Sequence, residues 1–435
     1  MKQLLTYLDA GRLSGRGRRK PVFSLLLLVL LSGTIHVHAQ DSVDYITVRG
    51  TVKDLYSKQK IEHVSVTARG THIGTVTNED GEFTLKWPAG LKVNEIELSC
   101  LGYYNTRMRV SREQNQQTCF IKPQSIRLSE IEVFSWQDPR NLIKAALGKV
   151  EQNYSMNPNL LTGFYRETIQ KRHKYIHISE AVVQIYKNPY RVADVENDRI
   201  QVLKGRKLVS PKPGDTLNVK FLGGPNMAVY IDVIKNPDLL LSEEALSYYS
   251  YRMGETTSLN DRLQYVVHFQ PQVALPVPLY SGTFYIDRET LAFTRAEFSM
   301  DMKDKLKVTG IILKDKPSGL RFSPEEVSYA VTYRQHKGKT YLSYIRNEIR
   351  FKCDWRRRLF VTNYTIIDET VITDNQEENV RKIPAGEAFS IRQSLSREVP
   401  AYFDSDFWGA YNIIEPTESL ENAVNKLKKQ QRPSQ

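Results

Sequence analysis

The amino-acid sequence predicts a mainly β protein built from a small N-terminal β-sandwich and a larger antiparallel sheet with a few helices. Between residues 45 and 98, short segments of alternating apolar and polar residues are separated by turns that contain glycine, which is typical of a small sandwich. Further along, longer segments rich in β-branched and aromatic residues follow one another with short turns. Such an order favours an antiparallel meander. The long predicted strands are residues 263–270, 282–287, 293–301, 305–314, 327–335, 340–351 and 360–370.

One of the short turns is Asn78-Glu79-Asp80-Gly81, which lies between two predicted strands of the sandwich. Its composition predicts a tight turn in which Gly81 adopts a positive φ. The carboxylates resemble the start of a calcium-binding loop, but the glutamate that such a loop needs twelve positions along is absent. We therefore interpret the segment as a turn.

The first 39 residues predict a cleavable secretory signal peptide, with a mature chain that starts near Gln40. Five Lys or Arg residues lie between Arg12 and Lys20, an apolar stretch follows at residues 22–31, and Ala39 supplies a small residue before the cleavage site. Ten apolar residues fall short of the roughly 20 that cross a bilayer. The stretch contains no cysteine for lipid attachment. We expect the mature chain to be periplasmic or associated with the outer membrane.

The charge of the chain is mildly basic. The formal net charge is +12, and residues 1–39 hold six Lys or Arg and one Asp, so the remaining chain carries +7. A mild excess spread over strands is weak evidence for nucleic acid, and the predicted compartment argues against it. The one dense basic cluster is Arg356, Arg357 and Arg358. It favours a solvated turn, and contact with an anionic surface of the envelope is the alternative.

Two amphipathic helices are predicted on either side of the larger sheet. Asp138 is placed to cap the first helix, and Pro139 suits its first position. Pro416 opens the second helix, with acidic residues in its first turn and lysines near its end. Its apolar face consists of Leu420, Ala423, Val424 and Leu427.

The N-terminal segment resembles a known family. The motifs are GTVKD at residues 50–54, VSV at 64–66, GTVTNEDGEF at 74–83 and SCLGY at 99–103. Over about residues 45–123 they resemble the carboxypeptidase-regulatory-like domain, although Asn78 and Glu62-His63 depart from the usual pattern. The resemblance implies a seven-stranded, transthyretin-like sandwich that is not catalytic. The same module opens many outer-membrane receptors and envelope proteins of Gram-negative bacteria.

Two further resemblances concern the larger sheet. The helix at 138–154 and the segments GFYRE at residues 163–167 and EAV at 180–182 are similar to an uncharacterised family found directly after this sandwich. Residues 282–287 and 295–299 resemble the curved half-barrel of periplasmic lipoprotein carriers, so we expect the large sheet to be curved.

These observations divide the chain into five parts. They are a signal peptide (1–39), a carboxypeptidase-regulatory-like sandwich (40–127), a connecting strand and amphipathic helix (128–160), an antiparallel β domain (161–412) and a C-terminal helix and tail (413–435).

The sandwich raises the question of a zinc carboxypeptidase, because His177 and Glu180 have the spacing of a ligand pair of that class. Alternation over residues 174–183 predicts a strand, in which positions three apart point to opposite faces. A zinc site needs ligands that converge within about 2.0–2.3 Å of one point. We therefore predict no catalytic, metal or cofactor site in this chain.

Two other groups of residues are candidates for structural or binding roles. Cys100 and Cys119 flank two predicted strands of the sandwich and are candidates for a disulfide in an oxidising compartment. Cys100 as a small buried apolar residue is the alternative. The aromatic run before the last helix favours packing on the sheet, and an interaction patch is the alternative. The candidate patch residues are Phe407, Trp408 and Tyr411, together with Arg356, Arg357 and Arg358.

The sequence thus favours a non-catalytic protein of the cell envelope. In this interpretation the sandwich acts as an adaptor, and the curved domain binds a protein partner or an apolar ligand, without a cofactor. A metal-dependent peptidase or another hydrolase of the envelope is the alternative.

Overall fold

The computed structural model describes residues 44–110, 116–124, 136, 138–217, 219–221, 224–355, 360–390, 393–400 and 407–431. Residues Met1–Asp44 and Tyr45–Gln435 separate into two units, and every element below belongs to the second. The predicted signal peptide and Arg356, Arg357 and Arg358 lie outside the described residues. Within the described residues, none of the helices combines the length and the apolar character that crossing a membrane requires.

The N-terminal part is a sandwich of seven strands in two sheets, as the resemblance implied. The first sheet has the order β4-β1-β7 and the second has the order β3-β2-β5-β6. Apolar side chains that alternate along these strands fill the space between the sheets, among them Val52, Trp87 and Ile96. The strands are β1 (Tyr45–Asp54), β2 (Ser65–Ala68), β3 (Gly74–Val76), β4 (Glu82–Pro88), β5 (Glu95–Ser99), β6 (Thr106–Arg109) and β7 (Gln117–Ile121).

The predicted turn joins β3 to β4. Asn78 Oδ1 accepts hydrogen bonds from the backbone N–H groups of Asp80 at 2.9 Å and Glu82 at 2.8 Å. Gly81 has a φ of +68°, and a Cβ at this position would lie 2.8 Å from the carbonyl oxygen of Val52. The turn therefore requires glycine at residue 81.

The larger part is an antiparallel sheet of eleven strands, in the order β10-β9-β8-β20-β19-β18-β16-β15-β14-β12, with β13 also paired to β14. A separate pair is formed by β11 and β17. The strands are β8 (Asn159–Lys171), β9 (Lys174–Lys187), β10 (Arg199–Val209), β11 (Lys220–Phe221), β12 (Tyr249–Met253), β13 (Thr257–Leu259), β14 (Arg262–Pro271), β15 (Tyr280–Asp287), β16 (Phe293–Met300), β17 (Leu313–Asp315), β18 (Leu320–His336), β19 (Lys339–Trp355) and β20 (Thr362–Gln376). The predicted mainly β fold with an antiparallel meander is confirmed.

Seven α-helices lie in the described part of the chain. They are α1 (Pro139–Leu147), α2 (Val150–Asn153), α3 (Met227–Tyr230), α4 (Glu243–Ser247), α5 (Lys305–Ile312), α6 (Leu395–Glu398) and α7 (Glu418–Gln431). As predicted, Asp138 caps α1, accepting a hydrogen bond from the Arg140 N–H at 2.8 Å. Buried Leu420 and Leu427 of α7 pack on β9 and β10.

One predicted strand is wrong. Residues 305–314 are rich in β-branched and apolar side chains, yet they form α5 and then enter β17. The Asp304 carboxylate accepts hydrogen bonds from the backbone N–H groups of Leu306 at 3.1 Å and Lys307 at 3.2 Å. This N-cap and the burial of Val308 and Ile312 against the sheet outweigh the local β propensity.

The two faces of the large sheet have different coverings. Leu161, Tyr165 and Ala181 belong to a large core that also includes side chains of α1, α3, α4 and α5, and we call this side the inner face. Phe164 and Val182 point the opposite way and pack with Val76 of the sandwich and with Trp408, and we call this side the outer face. The sandwich and the C-terminal segment therefore share the outer face.

A buried charged network holds the covering of the inner face. The Asp232 carboxylate accepts hydrogen bonds from Lys187 Nζ at 2.7 Å, Tyr190 Oη at 2.9 Å and Tyr333 Oη at 2.7 Å. Burial alone would lower the pKa of Lys187, but the carboxylates of Asp232 and Asp198 outweigh it and raise the pKa above its ordinary value. The lysine is therefore a buried cation with two buried anionic partners.

The same network indicates that the sheet is curved. Lys187 belongs to β9 and Tyr333 to β18, and three strands lie between them in the sheet. In a flat sheet these strands would be about 19 Å apart at the usual spacing of strands. Side chains that rise from a flat sheet could not both reach one carboxylate across that distance, so the sheet curves toward Asp232.

We predict that Asp232→Asn destabilises the protein by about 3–5 kcal/mol, because it leaves the buried ammonium of Lys187 without its closest anionic partner. Urea unfolding followed by circular dichroism measures the change. Asp238→Asn is the control, since Asp238 lies in the same covering segment but is exposed. The control should stay within about 0.5 kcal/mol of the wild type. Equal stability of the two variants would contradict this role.

Candidate functional site

The two residues that resembled zinc ligands lie on opposite faces of β9. Glu180 is on the outer face. Its carboxylate accepts hydrogen bonds from Arg166 Nε of β8 at 2.9 Å and from Arg206 Nε of β10 at 2.7 Å. Burial alone would raise the pKa of Glu180, but the two guanidinium groups outweigh it and hold the pKa below its ordinary value. Glu180 is thus the centre of a buried cross-strand ion-pair row.

His177 lies on the inner face. Its Nε2 is 2.7 Å from Ser179 Oγ and 3.5 Å from Glu167 Oε1. Burial, with a smaller effect of Lys207, lowers the pKa of His177 to about 4, so the ring is neutral at pH 7. No three His, Cys, Asp or Glu side chains within the described ranges converge so that they could hold a metal ion.

A pair of carboxylates that the sequence did not reveal lies beside His177. Glu167 of β8 and Asp368 of β20 are directly opposite each other in the sheet. Burial and then the Glu167 carboxylate raise the pKa of Asp368 well above its ordinary value, and burial also raises the pKa of Glu167. Asn347 donates a hydrogen bond to Asp368 at 3.1 Å. Two neighbouring acids therefore lie on the inner face, and ionising both of them at once would cost free energy.

The aromatic run before α7 is largely packed inside the chain. Trp408 is only 6% exposed, where it meets Phe164 edge-on at 5.2 Å and the guanidinium of Arg206 at 4.7 Å. Phe407 and Tyr411 are half-buried against the same cluster. Trp408 is therefore not available to a partner as part of a surface patch, because the outer face of the sheet covers it.

The segment 407–416 joins the sandwich to the large sheet. Thr75 Oγ1 donates to the Ile413 carbonyl at 2.8 Å, and the Asn412 side chain forms two hydrogen bonds with the backbone of Lys86. On the other side, Arg166 Nη2 donates to the Ile414 carbonyl at 2.7 Å. The segment fixes the sandwich and the sheet to each other.

Arg334 of β18 also joins the two parts. Its Nη1 donates to Thr67 Oγ1 at 3.1 Å and its Nη2 donates to the His72 carbonyl at 2.7 Å. Burial lowers the pKa of Arg334 to about 10. Beside it, a cleft of about 490 Å³ between the sandwich and the sheet is lined by charged and hydroxyl side chains, among them Arg262 and Arg295. The lining also includes Leu101 and Leu259, so polar and apolar groups both contribute to it.

The sandwich carries two exposed aromatic side chains near β7, at the edge of its three-stranded sheet that lies opposite to β4. Phe120, on the terminal strand β7, is 42% exposed, and Tyr56 in the loop after β1 is 67% exposed. Lys58 Nζ lies 4.5 Å from the centre of the Phe120 ring. The Leu55 N–H donates to the Ile121 carbonyl at 2.9 Å, which ties the loop to β7. The sequence gives no signal for this position, because Cys119, Phe120 and Ile121 are all apolar and do not reveal which side chain points outward.

The two candidate disulfide cysteines are free thiols in the structure. Cys119 is buried in the sandwich core with its Sγ 3.4 Å from Met108 Sδ, and Cys100 packs at the edge of the same core. Burial raises the pKa of each thiol to about 11. The disulfide therefore stays a prediction.

We predict that a bridge between Cys100 and Cys119 forms when the chain matures in an oxidising compartment, and that it adds on the order of 3 kcal/mol. Alkylation of the denatured protein, with and without reduction, followed by intact-mass measurement checks this. Two additional alkylated cysteines after reduction would support the bridge. Three alkylated cysteines without reduction would show that it does not form.

We predict that Asp368→Asn stabilises the protein at pH 8 by on the order of 1 kcal/mol. Above the ordinary carboxyl pKa the unfolded chain loses this proton while the folded chain keeps it. The wild type therefore loses stability as pH rises from that value through the raised folded pKa, and the variant does not. Urea unfolding at pH 5 and pH 8 measures the difference, with exposed Glu378→Gln as the control. A variant with the pH dependence of the wild type would contradict the assignment.

Comparison with solved structures gives low-level similarities, among them the following three. A domain described as that of an outer membrane lipoprotein-sorting protein from Vibrio parahaemolyticus is 10% identical, with coverage of 57% of this chain and 94% of its own and a TM-score of 0.25. A DUF1329 family protein from Desulfovibrio piger is 13% identical, with coverage of 56% and 95% and a TM-score of 0.24. A membrane-associated protein of unknown function from Bacteroides fragilis is 8% identical, with coverage of 76% and 97% and a TM-score of 0.15. TM-scores this low give no basis for assigning a shared fold or function.

Among curated proteins, none matches the chain. A family model does match, namely that of the CarboxypepD_reg-like domain, over residues 48–133. The seven strands in two sheets lie in the same part of the chain, where the motifs predicted this family. The chain therefore carries a carboxypeptidase-regulatory-like domain at residues 48–133.

Proposed function

We propose that this chain is a non-catalytic adaptor of the cell envelope, in which the sandwich binds a protein partner through the exposed aromatic pair Tyr56 and Phe120. The predicted signal peptide and the carboxypeptidase-regulatory-like domain support the compartment. The observation that carries the proposal is the exposure of Phe120 on β7 and of Tyr56 in the loop after β1, with Lys58 of the same loop over the Phe120 ring. In its sheet, β7 is the strand farthest from β4, which contacts Asn412.

Aromatic side chains are the residues that protein interfaces enrich most, because they bury a large apolar area and lose little conformational entropy. Among the described strands β7 ends its sheet, so an extended segment of a partner that lies along it would meet the Phe120 ring. Tyr56 lies in the loop that the Leu55 N–H ties to the end of β7. Lys58 would favour an acidic residue in that segment. The rest of the chain presents the sandwich, since Arg334 and the segment 407–416 fix it to the large sheet.

The two alternatives have less support. A hydrolase would need free acid, base or metal-binding groups, but Glu180 is held by two arginines and His177 is next to Ser179 and Glu167. An apolar ligand would need space on the inner face, and that face is filled by side chains such as Phe284, Phe293 and Phe351.

Site-specific photocrosslinking in the native cells tests the proposal. A photoreactive amino acid at Phe120 should capture one envelope protein, and the same amino acid at Arg109, an exposed residue of the edge strand β6, should not. In addition, Tyr56→Asp with Phe120→Asp should weaken co-purification of the captured protein by at least about tenfold, since an aromatic anchor commonly contributes about 2 kcal/mol or more.

The matched control is a pair of exposed apolar residues elsewhere, Val192→Asp with Leu203→Asp, which should leave co-purification unchanged. Identical capture from Phe120 and Arg109, or full co-purification with the double Asp variant at Tyr56 and Phe120, would contradict the proposal.

A further inference from the structure

The topology of the large sheet brings several turns to one end of it. β8 and β9 meet at Lys171 and Lys174, and β20 begins beside Lys171. On the other half of the sheet, β14 ends at Pro271 and β16 ends at Met300, which pairs with the first residue of β15. The register of the strands between them places all of these residues at the same end. We call this the basic end, defined by residues 171–174, 209–215, 271–279, 301–321 and 360–361.

The basic end has an excess of positive charge. Its segments contain ten Lys or Arg and four Asp, a formal excess of six positive charges, in a chain whose total is +12. Most of these cations are exposed, including Arg172, Lys174, Lys303, Lys305 and Lys314. Half of the net charge of the chain is therefore concentrated at one end of one sheet.

Apolar side chains are exposed among these cations. Leu306 of α5 is 84% exposed and Phe360 is 72% exposed, the two highest values among the large hydrophobic side chains described. Val273 and Val277 in the loop between β14 and β15, and Val361 beside Phe360, are also exposed. Single exposed apolar residues are common on soluble proteins, whereas a group of them at one end of a sheet is typical of an interaction surface.

The elements that carry these side chains are held firmly from behind. Val308 and Ile312 anchor α5 in the core of the inner face, so Leu306 is held on its exposed side. Lys307 Nζ donates to the Leu275 carbonyl at 2.8 Å, and the Asp301 N–H donates to the Leu279 carbonyl at 2.8 Å. These bonds join α5 and the 271–279 loop into one surface.

We infer that the basic end is a membrane-binding face that docks on a bilayer containing anionic lipids. Lysines and arginines are attracted to the negative surface, and apolar side chains between them enter the boundary between headgroups and acyl chains. Both features are needed, because the attraction is screened by salt while the apolar contact holds the protein at the surface. A protein partner would need acidic groups spread along several strands, whereas an anionic bilayer offers them everywhere.

Cosedimentation with vesicles tests this inference, using protein purified from its native cells so that all variants share the same amino terminus. The wild type should bind vesicles of phosphatidylethanolamine and phosphatidylglycerol and should not bind phosphatidylcholine alone. The triple variant Lys303→Gln, Lys305→Gln and Lys314→Gln should bind anionic vesicles at least about tenfold more weakly, since each cation near an anionic surface adds to the electrostatic attraction. Added salt should also weaken the binding of the wild type to anionic vesicles.

Insertion of the apolar side chains is measured separately. Tryptophan fluorescence of Leu306→Trp should shift to shorter wavelength when anionic vesicles are added, while Tyr56→Trp on the sandwich should not shift. The matched charge control is Lys92→Gln with Arg107→Gln and Arg109→Gln, which removes three exposed cations from the sandwich and should leave vesicle binding unchanged.

Three results would overturn the inference. They are a wild type that does not bind anionic vesicles, equal loss of binding in the two triple variants, and an equal fluorescence shift at residues 56 and 306. Thermal unfolding of each variant shows that it is folded, and surface changes of this kind should alter stability by about 0.5 kcal/mol or less.

Discussion

The buried carboxylate of Asp232 is the interaction on which the architecture of the large domain depends. It accepts hydrogen bonds from groups on two strands that are not neighbours, and it lies in a segment that covers the inner face. One side chain therefore connects two separated strands of the sheet to the segment that covers its inner face. A buried ion pair is costly to desolvate, so its value here is that few other arrangements of the chain would satisfy Lys187, Asp198 and Asp232 at once.

Much of the fold could be predicted from the sequence because apolar and polar residues alternate along a strand that has one buried face. Strands β1 to β5 of the sandwich and the long strands β14, β15, β16, β18, β19 and β20 were recognised in this way, whereas β6 and β7 were expected only from the resemblance to a seven-stranded family. The prediction was wrong at α5, where a short segment with β-branched residues follows a capping aspartate. Eight residues are too few for periodicity to distinguish a helix from a strand when both would be half-buried.

The polar sites were much harder to predict. Tyr333 lies 101 residues from Asp232, and the acid pair of Glu167 and Asp368 is formed by strands at opposite ends of the domain sequence. The sequence contains the charged residues but not their distances. His177 and Glu180 are the opposite case, because they are close in the sequence but lie on opposite faces of the sheet. The aromatic run near Trp408 was understood only in part, since its packing depends on which face the sandwich also occupies.

The segment 407–416 has a consequence for the order in which the molecule is completed. Its hydrogen bonds to Thr75 and Asn78 join residues that are 338 positions apart in the chain. The sandwich is synthesised before this segment, so the surface that the segment covers stays exposed until residues 407–416 have been made. Contacts of such high sequence separation form slowly, and exposed strands are vulnerable to aggregation while they wait. Loss of the segment 407–416 would therefore leave this face of the sandwich unburied, although the segment lies far from the sandwich in the chain.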